Sequence, residues 1–110
     1  MMIGMSIKQT GELQILTDQS FDDTYFVINP NDGFDLGLMM TEATVELEFN
    51  FDTGKEKTVS LTAQIVQKNE CRLGTLEMGN KSASKLNENT KVRLTIEEQE
   101  GNPKVIIGPA

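Results

Sequence analysis

Thr44–Phe51, TVELEFNF, alternates without a break: Val45, Leu47, Phe49 and Phe51 fall on one side, Thr44, Glu46, Glu48 and Asn50 on the other. Period two is the signature of an extended chain whose successive side chains point to opposite faces, so the stretch predicts a strand with one buried and one wet face. Thr58–Val66, TVSLTAQIV, repeats the pattern with Val59, Leu61, Ala63 and Ile65 inward and Thr58, Ser60, Thr62 and Gln64 outward. The turn-rich DTGKEK, Asp52–Lys57, lies between them, and the two strands predict a hairpin.

The same period runs outward in both directions. Lys91–Glu98, KVRLTIEE, sets Val92, Leu94 and Ile96 against Arg93, Thr95 and Glu97; EGNP then leads into KVIIG, a second hairpin. Cys71–Met78, CRLGTLEM, changes apolar phase between Leu73 and Leu76 across Gly74, which predicts a bend or bulge where a barrel turns a corner. Met5–Leu16 offers one or two strands broken around Gly11, and Thr24–Asn29, TYFVIN, is a strand apolar on both sides. Helix is scarce. Ser82–Thr90 has room for a turn or two with Ser82 as cap, and Asp18–Asp23 for a turn from Ser20. There is no repeat at a solenoid or propeller period, no linker and no heptad pattern. The expectation is one all-β domain over residues 1–110, a small antiparallel barrel or sandwich of six or seven strands with at most one or two short helical turns.

Composition narrows function by exclusion. The chain has no histidine and one cysteine, Cys71, which removes the usual general base, the Ser–His and Cys–His nucleophile pairs, and the ligand sets of zinc and iron–sulfur sites. Carboxylates at Asp22, Asp23, Asp32 and Asp35 remain, but sugar chemistry also asks for an aromatic cleft, and the chain has no tryptophan and one tyrosine. No enzyme activity, metal or cofactor is expected. A formal charge of −7 with ten basic residues argues against phosphate-backbone binding and for a protein partner, a basic one fitting best. No stretch reaches the roughly 20 apolar residues of a membrane span, and MMIGMSIK lacks a secretory pattern, so a cytoplasmic protein with no membrane contact is expected. Self-assembly into a homo-oligomer stays open.

Asn29–Gly37, NPNDGFDLG, is the one stretch styled like a ligand loop. As a helical calcium loop it fails: with Gly33 in the invariant glycine position, Pro30 and Ile28 stand where ligands belong, and an irregular site from Asn29, Asn31, Asp32 and Asp35 is the residual metal reading. As a phosphate nest it fails because Asp32 and Asp35 repel an anion. It is expected to be a turn, with Pro30 setting φ and Asn31, Asp32 and Gly33 supplying turn conformations. Leu36, Leu38, Met39 and Met40 follow as an apolar run, a core filler or an adaptable binding surface. Cys71 reads as a small core residue before a redox sensor, and Glu97, Glu98 and Glu100 as a solvated strand end.

The order of these features resembles the PilZ domain. Asp32–Gly37, DGFDLG, is similar to the family's D/N-x-S-x-x-G strand segment, with Phe34 where serine stands in the family; VELEFNF, SLTAQIVQ and CRLGTLEM follow, then a short candidate helix. The resemblance spans about Thr24 to Asn89 and implies a small β-barrel. PilZ domains that bind cyclic di-GMP carry an N-terminal R-x-x-x-R pair, whereas the arginines here are Arg72 and Arg93. Lacking those planar cationic donors for a dianionic ligand, the implied protein is a degenerate PilZ-like adaptor that binds protein and not nucleotide. Asp32, Phe34, Asp35, Leu38, Met39 and Met40 are the candidate contact residues. A self-assembling component of a virion or secretion apparatus and an acidic, phage-type inhibitor or nucleic-acid mimic are the alternatives.

Overall fold

A computed structural model describes residues 8–51, 59–86 and 90–110. Its strands are β1 (Lys8–Gln9), β2 (Leu13–Thr17), β3 (Tyr25–Ile28), β4 (Glu42–Phe49), β5 (Val59–Gln67), β6 (Thr75–Met78), β7 (Lys91–Glu97) and β8 (Lys104–Pro109). Two short helices interrupt them, α1 (Pro30–Leu36) and α2 (Asn80–Ala83), the latter running into a 3-10 turn at Ser84–Leu86. Strands β2 to β8 close on themselves in the order β7, β2, β6, β3, β5, β4, β8 and back to β7, and β1 continues the line of β2 along the same edge of β7. This is the all-β barrel that period two predicts. Closure gives each of the seven strands a neighbour on both edges over part of its length, which shortens the edge open to another chain.

Both expected hairpins form. Strands β4 and β5 pair antiparallel from Glu42 opposite Val66 to Phe49 opposite Val59, and β7 and β8 from Val92 opposite Pro109 to Glu97 opposite Lys104. Asp52–Thr58, the β4–β5 turn, lies outside the described residues, as do Met5–Ile7 and Asn87–Asn89 of the other stretches singled out above. The inward residues Val45, Leu47, Phe49, Ala63, Ile65, Val92 and Leu94 all sit in one core with Leu13, Phe26, Ile28, Leu36, Leu76, Met78, Val105 and Ile107.

Three pairings are parallel rather than antiparallel: β2 with β6, β3 with β5, and β4 with β8. The first two follow from an internal repeat. Leu13–Leu36 and Ala63–Leu86 are two copies of one strand–loop–strand–helix unit, displaced by the spacing that separates Asp32 from Ser82. Their hydrogen bonds recur with the copies exchanged. Gln14 N donates to Gly74 O and Gln64 N to Thr24 O; Asp18 N to Met78 O and Lys68 N to Ile28 O; Gly33 N to Asn29 O and Ala83 N to Gly79 O. Antiparallel β3 and β6 meet with Val27 opposite Glu77, equivalent positions, so an approximate two-fold passes through that pair. The third strand of each copy follows suit: Val45 pairs with Ala63 and Val92 with Leu13. Each copy lends its first strand to the other's middle strand, which is what makes those pairs parallel. Strand β8 then fills the gap between the two third strands and completes the cylinder.

The repeat is faint in the sequence because few residues are identical between the copies and the inward ones change size. Gln14, Ile15 and Leu36 recur as Gln64, Ile65 and Leu86, while Leu13 becomes Ala63 and Phe26 becomes Leu76. A barrel interior accepts such exchanges so long as total volume is kept.

Candidate functional site

Asn29–Gly37 is a helix rather than the expected turn, and every residue in it has a local reason. Asn29 is the N-cap, its side-chain oxygen accepting from Asn31 N at 2.8 Å, and Pro30 occupies the first turn, where a missing N–H costs nothing. Gly37 ends it with φ 82°, its N–H and the next satisfying Phe34 and Gly33 carbonyls. Gly33 is helical and serves a different purpose from the turn conformation expected of it: a Cβ there would collide with the Gln67 side chain. In α1 lie Asp32 to Leu36 of the segment that the PilZ resemblance places on a strand.

The equivalent residue in the second copy is Gly79, not Ser82, at the N-cap of α2. Ser82 is buried and donates its Oγ–H to Asp23 O at 2.8 Å. Asp32, its counterpart, does the same work from the other side. Only 5% exposed, it accepts from Gly74 N at 2.8 Å and ties α1 to the loop that enters β6. Burial pushes its carboxyl above the ordinary aspartate range, the Gly74 hydrogen bond opposes that rise, and the Asp35 charge adds to it. Asp18–Asp23 forms no helix; Asp18 Oδ1 accepts from both the N–H and the hydroxyl of Ser20, which makes a tight turn.

The six candidate contact residues therefore part company. Asp32 is spent on the fold. Leu38 is half-buried against the core, as Leu36 is wholly. Asp35 is exposed, and so are three large apolar side chains: Phe34 at 82%, Met39 at 95% and Met40 at 69%. Core filling explains Leu36 and part of Leu38 but not the methionines. Behind Met39 and Met40 opens a groove of about 380 Å³ lined by Leu38, Ala43, Ile96 and Pro103, with Glu98 among its polar wall residues.

Sequence reasoning missed Gln67. Its amide crosses the space that Gly33 leaves open and donates to Met40 O at 2.9 Å and Leu38 O at 3.5 Å, which pins the apolar connection in place. A glycine in a helix, fifth residue after a strand end, is the only trace this leaves in the sequence, and it reads as a turn. The repeat adds the second missed signal. Leu36 and Val45 are nine positions apart, whereas their counterparts Leu86 and Val92 are six apart, and most of that difference lies in β4, which begins three residues before Val45 where β7 begins one before Val92.

Other candidates are absorbed by the fold. Cys71 is buried with Val27 and Val66, its Sγ facing the Val27 and Thr75 carbonyls, and burial together with Glu77 pushes the thiol up to about 12. Asn29 is occupied at both ends, donating from Nδ2 to Cys71 O at 2.8 Å. Among the described residues no three His, Cys, Asp or Glu side chains gather as a metal would require, and no helix is long and apolar enough to cross a membrane. No family model, curated protein or solved structure matches the chain.

Proposed function

We propose that the chain is a non-catalytic protein-binding module whose contact surface is the exposed Met39 and Met40 with the groove behind them, Phe34 being exposed on α1 as well. The observation that carries this reading is the exposure of large apolar side chains beside an apolar groove. Met39 and Met40 stand in water in the α1–β4 connection, over a groove lined by Leu38, Ala43, Ile96 and Pro103, and the core uses neither. Exposed apolar side chains in a cluster are costly in solubility, and a partner that covers them gives that cost a purpose. Methionine suits the role because its unbranched, polarisable chain adapts to the surface it meets. On this reading a relationship to PilZ domains would be to adaptors that have lost the nucleotide site.

Affinity purification from the native cell tests it. The intact protein should retain a partner that the Met39→Ser/Met40→Ser variant loses, with the fold of the variant unchanged by circular dichroism. Equal recovery by both proteins would refute the assignment of this surface.

A further inference from the structure

We propose that the groove behind Met39 and Met40 receives a basic, amphipathic segment of the partner protein, with apolar side chains seated in the groove and lysines or arginines over its rim. The inference rests on the docking reading above and adds the chemistry of what docks. The groove is small for a ligand site, near the lower end of the usual range, so it takes an anchor of a few side chains and not a folded surface. The apolar part of its wall is Leu38, Met39 and Met40 from the α1–β4 connection, Ala43 from β4, Ile96 from β7 and Pro103 from the lead into β8, with Thr44, Glu98 and Gln99 as the polar part.

Charge selects the sign of the occupant. Glu98 lines the groove, Glu100 is exposed on the same β7–β8 turn, and Glu42 is exposed beside Ala43 at the start of β4; Glu97 ends β7 opposite Lys104. Lys8 stands beside Gly37 at the other end, and Lys104 is held by Glu48 at 2.9 Å. Among the described residues the one charged side chain in the groove wall is therefore a carboxylate, on a chain whose net charge is −7. Such a field draws a basic segment in and rejects an acidic one. A helix with apolar residues on one face and cations on the other meets both demands, and methionine-lined grooves adapt to such faces.

The test is an NMR titration of the full chain, with methyl labels on Met and Ala and on Ile, against three peptides: an amphipathic leucine/lysine helix, the same composition in scrambled order, and a leucine/glutamate helix. The leucine/lysine helix should shift the methyls of Met39, Met40, Ala43 and Ile96 saturably, and added salt should weaken it. Glu98→Lys and Met39→Ser/Met40→Ser should each weaken it about tenfold or more. The scrambled and acidic peptides should leave those methyls unmoved. Equal binding of the leucine/glutamate helix at the same methyls overturns the inference while leaving an apolar docking surface intact. Shifts confined to the outer wall of β4, or self-association through the groove seen by light scattering, also overturn it. Silence from all three peptides overturns it too, and if the native cell still yields a methionine-dependent partner, the docking reading survives that result.

Discussion

Replacing Asp32 separates two effects that oppose each other at one atom group. The carboxylate supplies the acceptor for Gly74 N–H and so fastens α1 across the two-fold to the second copy. It is also almost wholly buried, which disfavours its charge. Asp32→Ala removes the acceptor and strands the N–H, a loss of about 1–3 kcal/mol, partly offset by removing the buried charge. The net expectation is about 1–2 kcal/mol, or roughly 4–8 °C in Tm for a domain of this size. Asp32→Asn keeps an acceptor and drops the charge, so at neutral pH it should lie within about 1 kcal/mol of wild type. The pH dependence follows from the direction of the shift. The folded state holds the Asp32 proton to higher pH than the unfolded chain does, so stability falls as pH rises from the ordinary 3.8 through the raised value. The asparagine variant has no such titration. Wild type should therefore be strongest relative to Asp32→Asn at acid pH and lose that advantage towards neutrality. Urea melts of the three proteins between acid and neutral pH measure this. A gap that instead grows in favour of wild type with rising pH would refute the reasoning, since the Gly74 hydrogen bond would then dominate over burial.

Other consequences are local. Gly79→Ala should cost about 1–3 kcal/mol by overpacking, because a Cβ there would lie 2.6 Å from the Phe21 carbonyl oxygen, a backbone atom that cannot swing aside; a thermal melt equal to wild type would contradict it. Met39→Ser/Met40→Ser should change stability by no more than about 0.5 kcal/mol, as both side chains are exposed; a large drop in Tm would mean that they pack. Cys71, with its thiol pushed up to about 12, should resist a disulfide reagent in the folded protein and react on unfolding; quick reaction under native conditions would place it at the surface. Calorimetry against cyclic di-GMP should show no heat, and micromolar binding would restore the nucleotide-binding form of the PilZ resemblance.

How much was legible in the chain follows from what each residue answers to. Val45, Leu47, Phe49, Val92 and Leu94 alternate because one face meets the core, and that demand is written into residue type; strands and hairpins could be read directly. Parallel pairing could not, since it depends on which copy β2 and β5 join, and a strand paired in parallel looks the same in isolation. Asn29, Pro30 and Gly37 are helix start and stop signals as well as turn formers, and two turns of helix between them were read as one turn. At the site, Met39 and Met40 are visible as an apolar run, but their exposure depends on where the α1–β4 connection leaves the barrel, which residue type does not encode. Asp32 looked like a surface acid because its partner, Gly74 N–H, is a backbone group contributed by the other copy.

The claim that the exposed Met39 and Met40 are covered by another protein is tested most directly by site-specific photocrosslinking in the native cell. A photoreactive residue at Met39 should yield one discrete crosslinked partner, whereas the same residue at Thr62, exposed on β5 and bonded to Glu46, should yield none. Crosslinks from Thr62 to the same partner, or from Met39 only to further copies of this chain, would contradict the account.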